Sequence, residues 1–261
     1  MTFHFFSGYW YWSIMLPAML MFLIVFLRSF SGLIRSYDLN NTKLVSIFLE
    51  IVIIGWIGGI IGSKIDFFFQ SNIQLKSDID LKALLKFSLD GQRWYTAFLF
   101  GLVYINFFVR PKLSVKDYLI FLDRVSIVLC FFFIFGKVAC FLSGHVGGCG
   151  GSHTSLPWGV LMPYGLKPSH PRQLYDAIFH LLLFVALYLI YSKKPNKLGL
   201  ISSVFLIVSP AYSFLSEFLS INDVIFCGLR AAQFGYLAIL FIAIYHLQIY
   251  KRYSSHSTVI S

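Results

Sequence analysis

The chain has 261 residues, of which 58% are hydrophobic and only 12% are charged. A water-soluble fold of this size cannot bury so much apolar surface, so lipid must act as solvent for part of the chain. The composition therefore excludes a soluble globular enzyme and indicates a membrane protein. The formal net charge of +10 would suggest a nucleic-acid partner in a soluble protein. Here the distribution of charge along the loops explains it better, and we expect no nucleic acid.

Seven apolar segments are long enough to span or nearly span a bilayer, and in chain order they cover residues 9–27, 44–63, 94–109, 118–142, 174–191, 198–215 and 224–247. Unpaired backbone groups are not tolerated in hydrocarbon, and these segments lack the alternation of a barrel strand. We therefore expect an all-α protein with a single membrane domain over residues 1–261. The first segment lacks a basic leader and a small-residue cleavage site, so we expect a retained helix rather than a signal peptide.

Basic residues concentrate in alternate loops between these segments. With the amino terminus outside, the inner loops hold Arg28, Arg35, Lys43, Arg110, Lys112, Lys116, Lys193, Lys194, Lys197, Lys251 and Arg252. The positive-inside rule then predicts seven transmembrane helices, with the amino terminus outside and the carboxyl terminus cytoplasmic. Residues 71–90 alternate aliphatic and charged residues, which predicts a small amphipathic arm over residues 64–93 on the outer surface, with a solvated linker as the alternative. Residues 143–173 form an outer loop in this topology.

Ionisable residues inside a membrane are costly, and in this topology most of them gather near the outer face. They lie at the outer ends of the fourth to seventh segments and comprise Lys137, Arg172, Asp176, Glu217 and Arg230. This arrangement predicts a polar cavity that opens to the outer leaflet.

Of three further features of the apolar segments, two have ordinary explanations and one does not. We interpret Asp123 and Arg124 as a snorkelling pair at the inner interface. Glu50 either pairs across the bundle or is protonated, and the sequence indicates no partner for it. The glycines of the second segment, which include Gly58 and Gly62, are typical of close helix packing.

Residues 136–148 read GKVACFLSGHVGG and are followed by LPWG at 156–159 and by HPRQLYD at 170–176. These motifs resemble the signature region of prolipoprotein diacylglyceryl transferases. The residues that match the family pattern are Tyr11, Gly136, Phe141, Gly144, Gly148, Leu156, Pro157, Trp158, His170, Pro171, Gln173, Leu174, Tyr175, Glu217 and Gln233. The resemblance covers most of the chain in its seven-helix layout.

The resemblance implies a transferase of the bacterial inner membrane. Members of this family move the diacylglyceryl group of phosphatidylglycerol to the lipobox cysteine thiol of a preprolipoprotein and release glycerol 1-phosphate. The implied partners are therefore phosphatidylglycerol, the signal peptide of a preprolipoprotein and membrane lipids. No cofactor and no metal are implied.

The chain departs from the family pattern at several functional positions. Lys137 replaces an arginine, Cys140 and Ser143 replace asparagines, and His145 replaces a glutamate. The family's histidine-glycine pair falls on Thr96 and Ala97, and arginines expected near the sixth segment fall on Ser213 and Ser220. Two alternatives therefore stay open: a paralogous transferase that uses the same donor with another acceptor, and a catalytically inactive lipid-binding relative.

Attack by a thiol requires a thiolate, and the departing phosphate requires cations or hydrogen-bond donors around it. His145 and His170 are candidates to accept the thiol proton, with structural hydrogen bonding as the alternative role. The predicted catalytic residues are His145, His170, Lys137, Tyr11 and Glu217. The predicted substrate-binding residues are Gly144, Gly148, Cys140, Ser143, Arg172, Gln173, Tyr175, Arg230, Gln233 and Arg93. Arg230 and Gln233 have helical i, i+3 spacing, which predicts that they project from one face towards the cavity.

The cysteines allow two other interpretations. Cys140, His145, Cys149 and His153 have the chemistry of a zinc site, but their spacing matches no zinc finger or ribbon. Cys149 and Cys227 both lie outside in this topology, where an oxidising compartment would permit a disulfide between them.

Overall fold

The structure is a computed structural model that describes residues 49–62, 64, 94–144, 149–163, 165–194, 197–222 and 224–257, with a few helical positions between 13 and 24. The described part of the chain is mostly helical. Four of its helices are long and apolar enough to cross a membrane. The chain is therefore a multi-pass membrane protein.

The described elements begin with helix α1, Leu49–Gly62, and helix α2, Trp94–Tyr104. Helix α2 continues as a π-helical turn, Ile105–Val109, and a 3-10 turn, Arg110–Lys112. The four candidate spans follow: α3, Val115–Leu142; α4, Arg172–Lys193; α5, Leu200–Ser216, extended by the 3-10 turn Glu217–Leu219; and α6, Ala231–Ser257. Strands β1, Val224–Phe226, and β2, Leu229–Arg230, form an antiparallel hairpin before α6.

The helices predicted over 118–142, 174–191 and 198–215 are confirmed, with small shifts at their ends. The last predicted span was wrong at its start, because residues 224–230 form the hairpin and the helix begins only at Ala231. The chain reverses at Cys227 and Gly228, which both have positive φ angles. A three-residue apolar strand next to an apolar helix shows the same hydrophobic run in sequence as one longer helix. The predicted arm at 65–93 lies outside the described residues.

Helices α3 to α6 form an up-down bundle whose interior is apolar. The carboxyl end of α3 meets the start of α4 through the Lys137 and Asp176 pair described below. The carboxyl end of α5 meets the start of α6, where the Gln233 side-chain amide donates a hydrogen bond to the Phe214 carbonyl at 3.1 Å. The core contains Leu187, Phe205, Tyr236 and Ile239, each almost completely buried. Because these residues come from α4, α5 and α6, one apolar core holds the helices in a fixed relative rotation.

Helix α2 extends this core through aromatic packing. The ring of Trp94 lies 4.7 Å from that of Phe133 on α3 and 5.6 Å from that of Tyr236 on α6. The first of these contacts is edge-to-face, and aromatic pairs of this kind add to the energy of area burial. Helix α1 packs on α2 at Gly62, where a methyl group would lie 1.9 Å from Thr96 Oγ1. The sequence-based assignment of the α1 glycines to helix packing is consistent with this contact.

The carboxylate of Asp123 on α3 caps the start of α5. It accepts hydrogen bonds from the backbone N–H of Gly199 at 2.7 Å and of Ser202 at 2.8 Å, and from the Ser202 hydroxyl at 2.7 Å. Gly199 precedes the helix in a left-handed conformation and has no side chain to cap it. The interpretation of Asp123 as a snorkelling partner of Arg124 was therefore wrong, because free N–H groups at a helix start bind the carboxylate more directly.

Glu50 pairs with Tyr104, whose hydroxyl donates a hydrogen bond to the Glu50 carboxylate. The two residues lie on α1 and α2. The sequence predicted only that Glu50 would pair across the bundle or be protonated, and the structure supplies the pairing.

Candidate functional site

A chain of charged side chains runs through the bundle where α3 and α5 end and α4 and α6 begin. We call this region the charged end. Its first pair is Lys137 on α3 and Asp176 on α4, whose ammonium and carboxylate groups lie 2.6 Å apart. Lys137 is 8% exposed and Asp176 is 5% exposed, so the pair is shielded from water. A single unpaired charge that is buried in this way would strongly destabilise the protein, so each member of the pair compensates the charge of the other.

Arg172, one helical turn before Asp176, makes the second pair. Its guanidinium donates from Nη2 to Glu217 and from Nε to the Ser216 hydroxyl at 3.0 Å. The Ser216 hydroxyl in turn donates to Asp176 at 2.9 Å. One serine therefore connects the two ion pairs, and the four charged groups sum to zero. All these side chains are almost completely buried.

The network continues to the hairpin and α6. The side-chain amide of Asn222 donates to Glu217 at 2.8 Å, and the guanidinium of Arg230 donates to the backbone carbonyl of Asn222 at 2.7 Å and of Ser220 at 3.1 Å. Gln233 accepts from the Arg230 backbone N–H at 2.8 Å. The prediction that Arg230 and Gln233 project from one face of the same helix was wrong. Arg230 lies in β2, and its guanidinium donates to backbone carbonyl groups.

The loop before α4 folds back over the charged end through backbone hydrogen bonds. Ser152 donates to the carbonyl of Leu219 at 2.7 Å, and His170 donates to that of Ser152 at 2.9 Å. Gly151 has to lack a side chain here, because a methyl group would lie 2.2 Å from the His170 carbonyl oxygen. These contacts fix the loop to the end of α5 and determine where α4 begins.

His170, Tyr175 and Trp158 form a separate, half-exposed cluster. The Trp158 indole N–H donates to the Tyr175 hydroxyl at 2.8 Å, and His170 Nδ1 lies 3.4 Å from the same hydroxyl. Tyr175 therefore orients the imidazole while leaving its Nε2 unused in the described part of the protein. The cluster is continuous with α4 but makes no described hydrogen bond to the charged pairs.

The end of α3 places three more predicted residues together. The thiol of Cys140 lies 3.6 Å from the sulfur of Cys149, and the Ser143 hydroxyl donates to the Cys140 carbonyl at 3.1 Å. Gly144 follows in a left-handed conformation with φ of 66°. Neither Cys149 nor Cys227 forms a disulfide in the structure, so the bridge considered between them is not formed.

The zinc interpretation has no support in the described residues, which contain no cluster of three metal-ligating side chains. The imidazole of His153, one of the four considered ligands, lies 3.3 Å from the Ser169 hydroxyl.

The structure thus pairs Arg172 directly with Glu217 and connects Lys137 to them through Asp176 and Ser216. Arg230 and Gln233 join the network through Asn222. Gln173 is fully buried beside them on α4. Four predicted site residues lie outside the described part of the chain, namely Tyr11, Arg93, His145 and Gly148.

Sequence reasoning placed Asp176 and Ser216 near the outer face but assigned neither a role, and it did not name Asn222. The position of Asp176, four residues after Arg172 on one helix face, was the available signal. Serine and asparagine near a helix end are too common to signal a network by themselves.

The chain matches the family described as prolipoprotein diacylglyceryl transferase over residues 1–249. It belongs to that family. The charged end, the His170 cluster and the loop between them all lie inside the matched region, so the family resemblance and the buried network concern the same part of the molecule.

Several curated relatives are named phosphatidylglycerol–prolipoprotein diacylglyceryl transferase. The one from Clostridium tetani is 33% identical over 175 residues, or 65% of this chain and 67% of the relative. Those from Nitratidesulfovibrio vulgaris and Polaromonas naphthalenivorans are 36% identical over 106 residues and 29% identical over 178 residues. The matched parts span only 36% and 62% of these two relatives' own lengths. This member of the transferase family is therefore a distant one.

Proposed function

We propose that this family member transfers the diacylglyceryl group of phosphatidylglycerol to the cysteine thiol of a preprolipoprotein signal peptide. The single observation that carries the proposal is the buried Lys137, Asp176, Arg172 and Glu217 network inside the family's matched region. A membrane protein keeps four buried charges in one place at a considerable cost, which points to a function for them.

The acidic residues of the network position cations and leave hydrogen-bond donors for a substrate. In the described residues, Asp176 uses one of the three N–H donors of Lys137. Arg172 uses Nε and Nη2, while its buried Nη1 has no hydrogen-bond partner among the described residues. A phosphate that accepts from these remaining donors would be stabilised as its charge grows during bond cleavage, by roughly 3 kcal/mol for each fixed donor.

The transfer step breaks one bond and forms one. The acceptor sulfur attacks the carbon of the diacylglyceryl group that is bonded to the phosphate oxygen. The bond between that carbon and that oxygen breaks, and glycerol 1-phosphate leaves with the bonding electrons. The thiol proton needs a base. We assign this role to His170 or His145, and the hydrogen bond between His170 and Tyr175 supports the first assignment by fixing the imidazole orientation.

The remaining predicted residues complete the proposed site. Tyr11, Arg93 and Gly148 would contact the lipid or the signal peptide, together with Gly144, Cys140, Ser143, Gln173, Tyr175, Arg230 and Gln233. The proposed setting is a bacterial inner membrane crossed by seven helices, with the amino terminus and the charged end outside. In that topology the donor lipid enters from the outer leaflet.

A second candidate is a paralogous transferase that uses the same donor with another acceptor, and the packing of Thr96 favours it. At this position, where the family resemblance expects histidine, Thr96 is buried and fills the space over Gly62. Ser213, which replaces an arginine, is also buried in α5. An inactive lipid-binding relative is the third possibility.

The test is a transfer assay with the full chain in phosphatidylglycerol vesicles and a synthetic lipobox peptide. Mass spectrometry should show the peptide gaining one diacylglyceryl group while glycerol phosphate is released. Replacing Arg172 by Gln should lower the rate at least a hundredfold, or about 3 kcal/mol. The exposed Lys167, in the loop just before α4, gives the matched control Lys167→Gln, which should keep the rate.

Each alternative predicts a different result in that assay. Release of glycerol phosphate with an unmodified peptide, dependent on another thiol compound, would favour the paralogous transferase. Saturable lipid binding without any release would favour the inactive relative. Rescue of a bacterium depleted of its own transferase would support transfer to lipoproteins in cells.

A further inference from the structure

Two cysteines meet at the charged end, and the bond-breaking and bond-forming step proposed above uses neither of their thiols. Cys140 lies on the last turns of α3, and Cys149 follows the loop that leaves this helix. The Cys140 thiol lies 3.6 Å from the Cys149 sulfur, and the two residues are nine apart in sequence. We propose that Cys140 and Cys149 form a redox-active pair that a disulfide compound or a disulfide oxidoreductase converts into an intramolecular disulfide.

The distance makes bond formation possible with small movements. A disulfide brings its sulfurs to about 2.05 Å, so these two have to approach by about 1.5 Å. Rotation of the Cys149 side chain can supply most of this approach, because Cys149 is half-exposed and sits in a turn. Cys140 is buried and fixed on the helix, which supplies a rigid partner.

The other two cysteines do not share this geometry. Cys130 is buried in the middle of α3, where its thiol donates to the His180 carbonyl at 3.1 Å. Cys227 is exposed at the turn of the hairpin. Among the described cysteines, only Cys140 and Cys149 are placed to react with each other.

The charge of Lys137 lies near both sulfurs and interacts electrostatically with each of them. The cysteine pair therefore adjoins the Lys137 and Asp176 ion pair of the charged end. Lys137 and Cys140 are three residues apart on α3 and therefore share a helix face.

The reaction is a two-step exchange. The Cys149 thiolate, which solvent reaches more easily, attacks one sulfur of the donor disulfide and releases one donor thiolate. The Cys140 thiolate then attacks the Cys149 sulfur and releases the second. Two protein thiols and one donor disulfide thus become one protein disulfide and two donor thiols, and the two electrons pass to the donor.

Oxidation would have a local consequence for the proposed site. The closed ring contains Ser143, Gly144, His145 and Gly148, four residues that we assign to the site. Ring closure restricts the conformations open to this segment. The redox state of the pair would therefore control the segment next to Lys137.

The test uses the full chain in detergent micelles and measures the disulfide itself, so it does not depend on transfer activity. The protein is equilibrated with oxidised or reduced glutathione, alkylated, digested without reductant and analysed by mass spectrometry. We expect oxidised glutathione to remove two of the four thiols. The Cys140 and Cys149 peptides should then be linked, at a mass lower by two hydrogens, and dithiothreitol should reverse the link.

Two variants test which cysteines form the link. Cys227→Ser should form the same link as the wild type, whereas Cys140→Ser should instead accumulate a mixed disulfide between Cys149 and glutathione. Alkylation of Cys140 and Cys149 to the same extent in oxidised and reduced buffer, or a link from Cys149 to Cys227, would overturn the proposal. The wild-type peptide map decides the question even if Cys140→Ser does not fold.

Discussion

The Lys137 ammonium and the Asp176 carboxylate lie 2.6 Å apart and are buried together between α3 and α4. The Ser216 hydroxyl ties this pair to that of Arg172 and Glu217. A buried pair adds little stability compared with apolar residues, but loss of one partner leaves an uncompensated charge. Replacing one member of a buried pair should therefore destabilise the protein more than replacing both members.

Replacing Lys137 by Met should lower the free energy of unfolding by about 3–5 kcal/mol, because Asp176 would remain buried without its partner. The double variant Lys137→Met, Asp176→Leu should recover most of that loss. Thermal unfolding in detergent micelles, followed by size-exclusion chromatography, measures both. Lys116→Met, at an exposed position of the same helix, is the control. Equal instability of the single and double variants would contradict the pairing.

Replacing Arg172 by Lys should reduce stability by about 1–3 kcal/mol, although the charge is retained. A single ammonium group cannot reproduce the two directions in which Nε and Nη2 donate to Ser216 and Glu217. The midpoint of chemical unfolding in micelles measures this loss, with Lys167→Arg as the exposed control. An unchanged midpoint for Arg172→Lys would show that the geometry of the guanidinium is not required.

Replacing Asp123 by Asn should reduce stability by about 1–3 kcal/mol, since an amide can accept from fewer of the N–H groups that the carboxylate caps at the start of α5. Hydrogen exchange should increase first at the amides of Gly199 and Ser202. Lys197→Gln lies close by in sequence, is exposed and should show neither effect. A uniform rise in hydrogen exchange across the protein would show that loss of the Asp123 cap does not cause the lower stability.

Replacing Gly62 by Ala should destabilise the protein by about 1–3 kcal/mol, because the added methyl group would overlap with Thr96. Gly101→Ala on α2 is a matched comparison, since a methyl group there would meet no atom within 4 Å. That substitution should be neutral or slightly stabilising, as alanine favours a helix over glycine. Melting temperatures that fall equally for both variants would argue against close packing of α1 on α2.

The helices of the bundle could be predicted because each depends mainly on its own composition. Segments 118–142 and 198–215 are predominantly apolar, and hydrocarbon leaves such a segment few alternatives to a helix. The hairpin at 224–230 could not be predicted in this way. Its strands are too short for alternation to be visible, and a tight turn at Cys227 decides the geometry.

The sequence by itself determined that this chain is a membrane protein, that its polar residues gather near helix ends, and which family its motifs resemble. It could not determine that Lys137 meets Asp176, that Arg172 meets Glu217, or that Cys140 meets Cys149. These contacts depend on the rotation and depth of each helix relative to its neighbours, which the packing of residues distant in sequence decides. Only the tertiary structure therefore shows which of these polar residues contact one another and form a connected network.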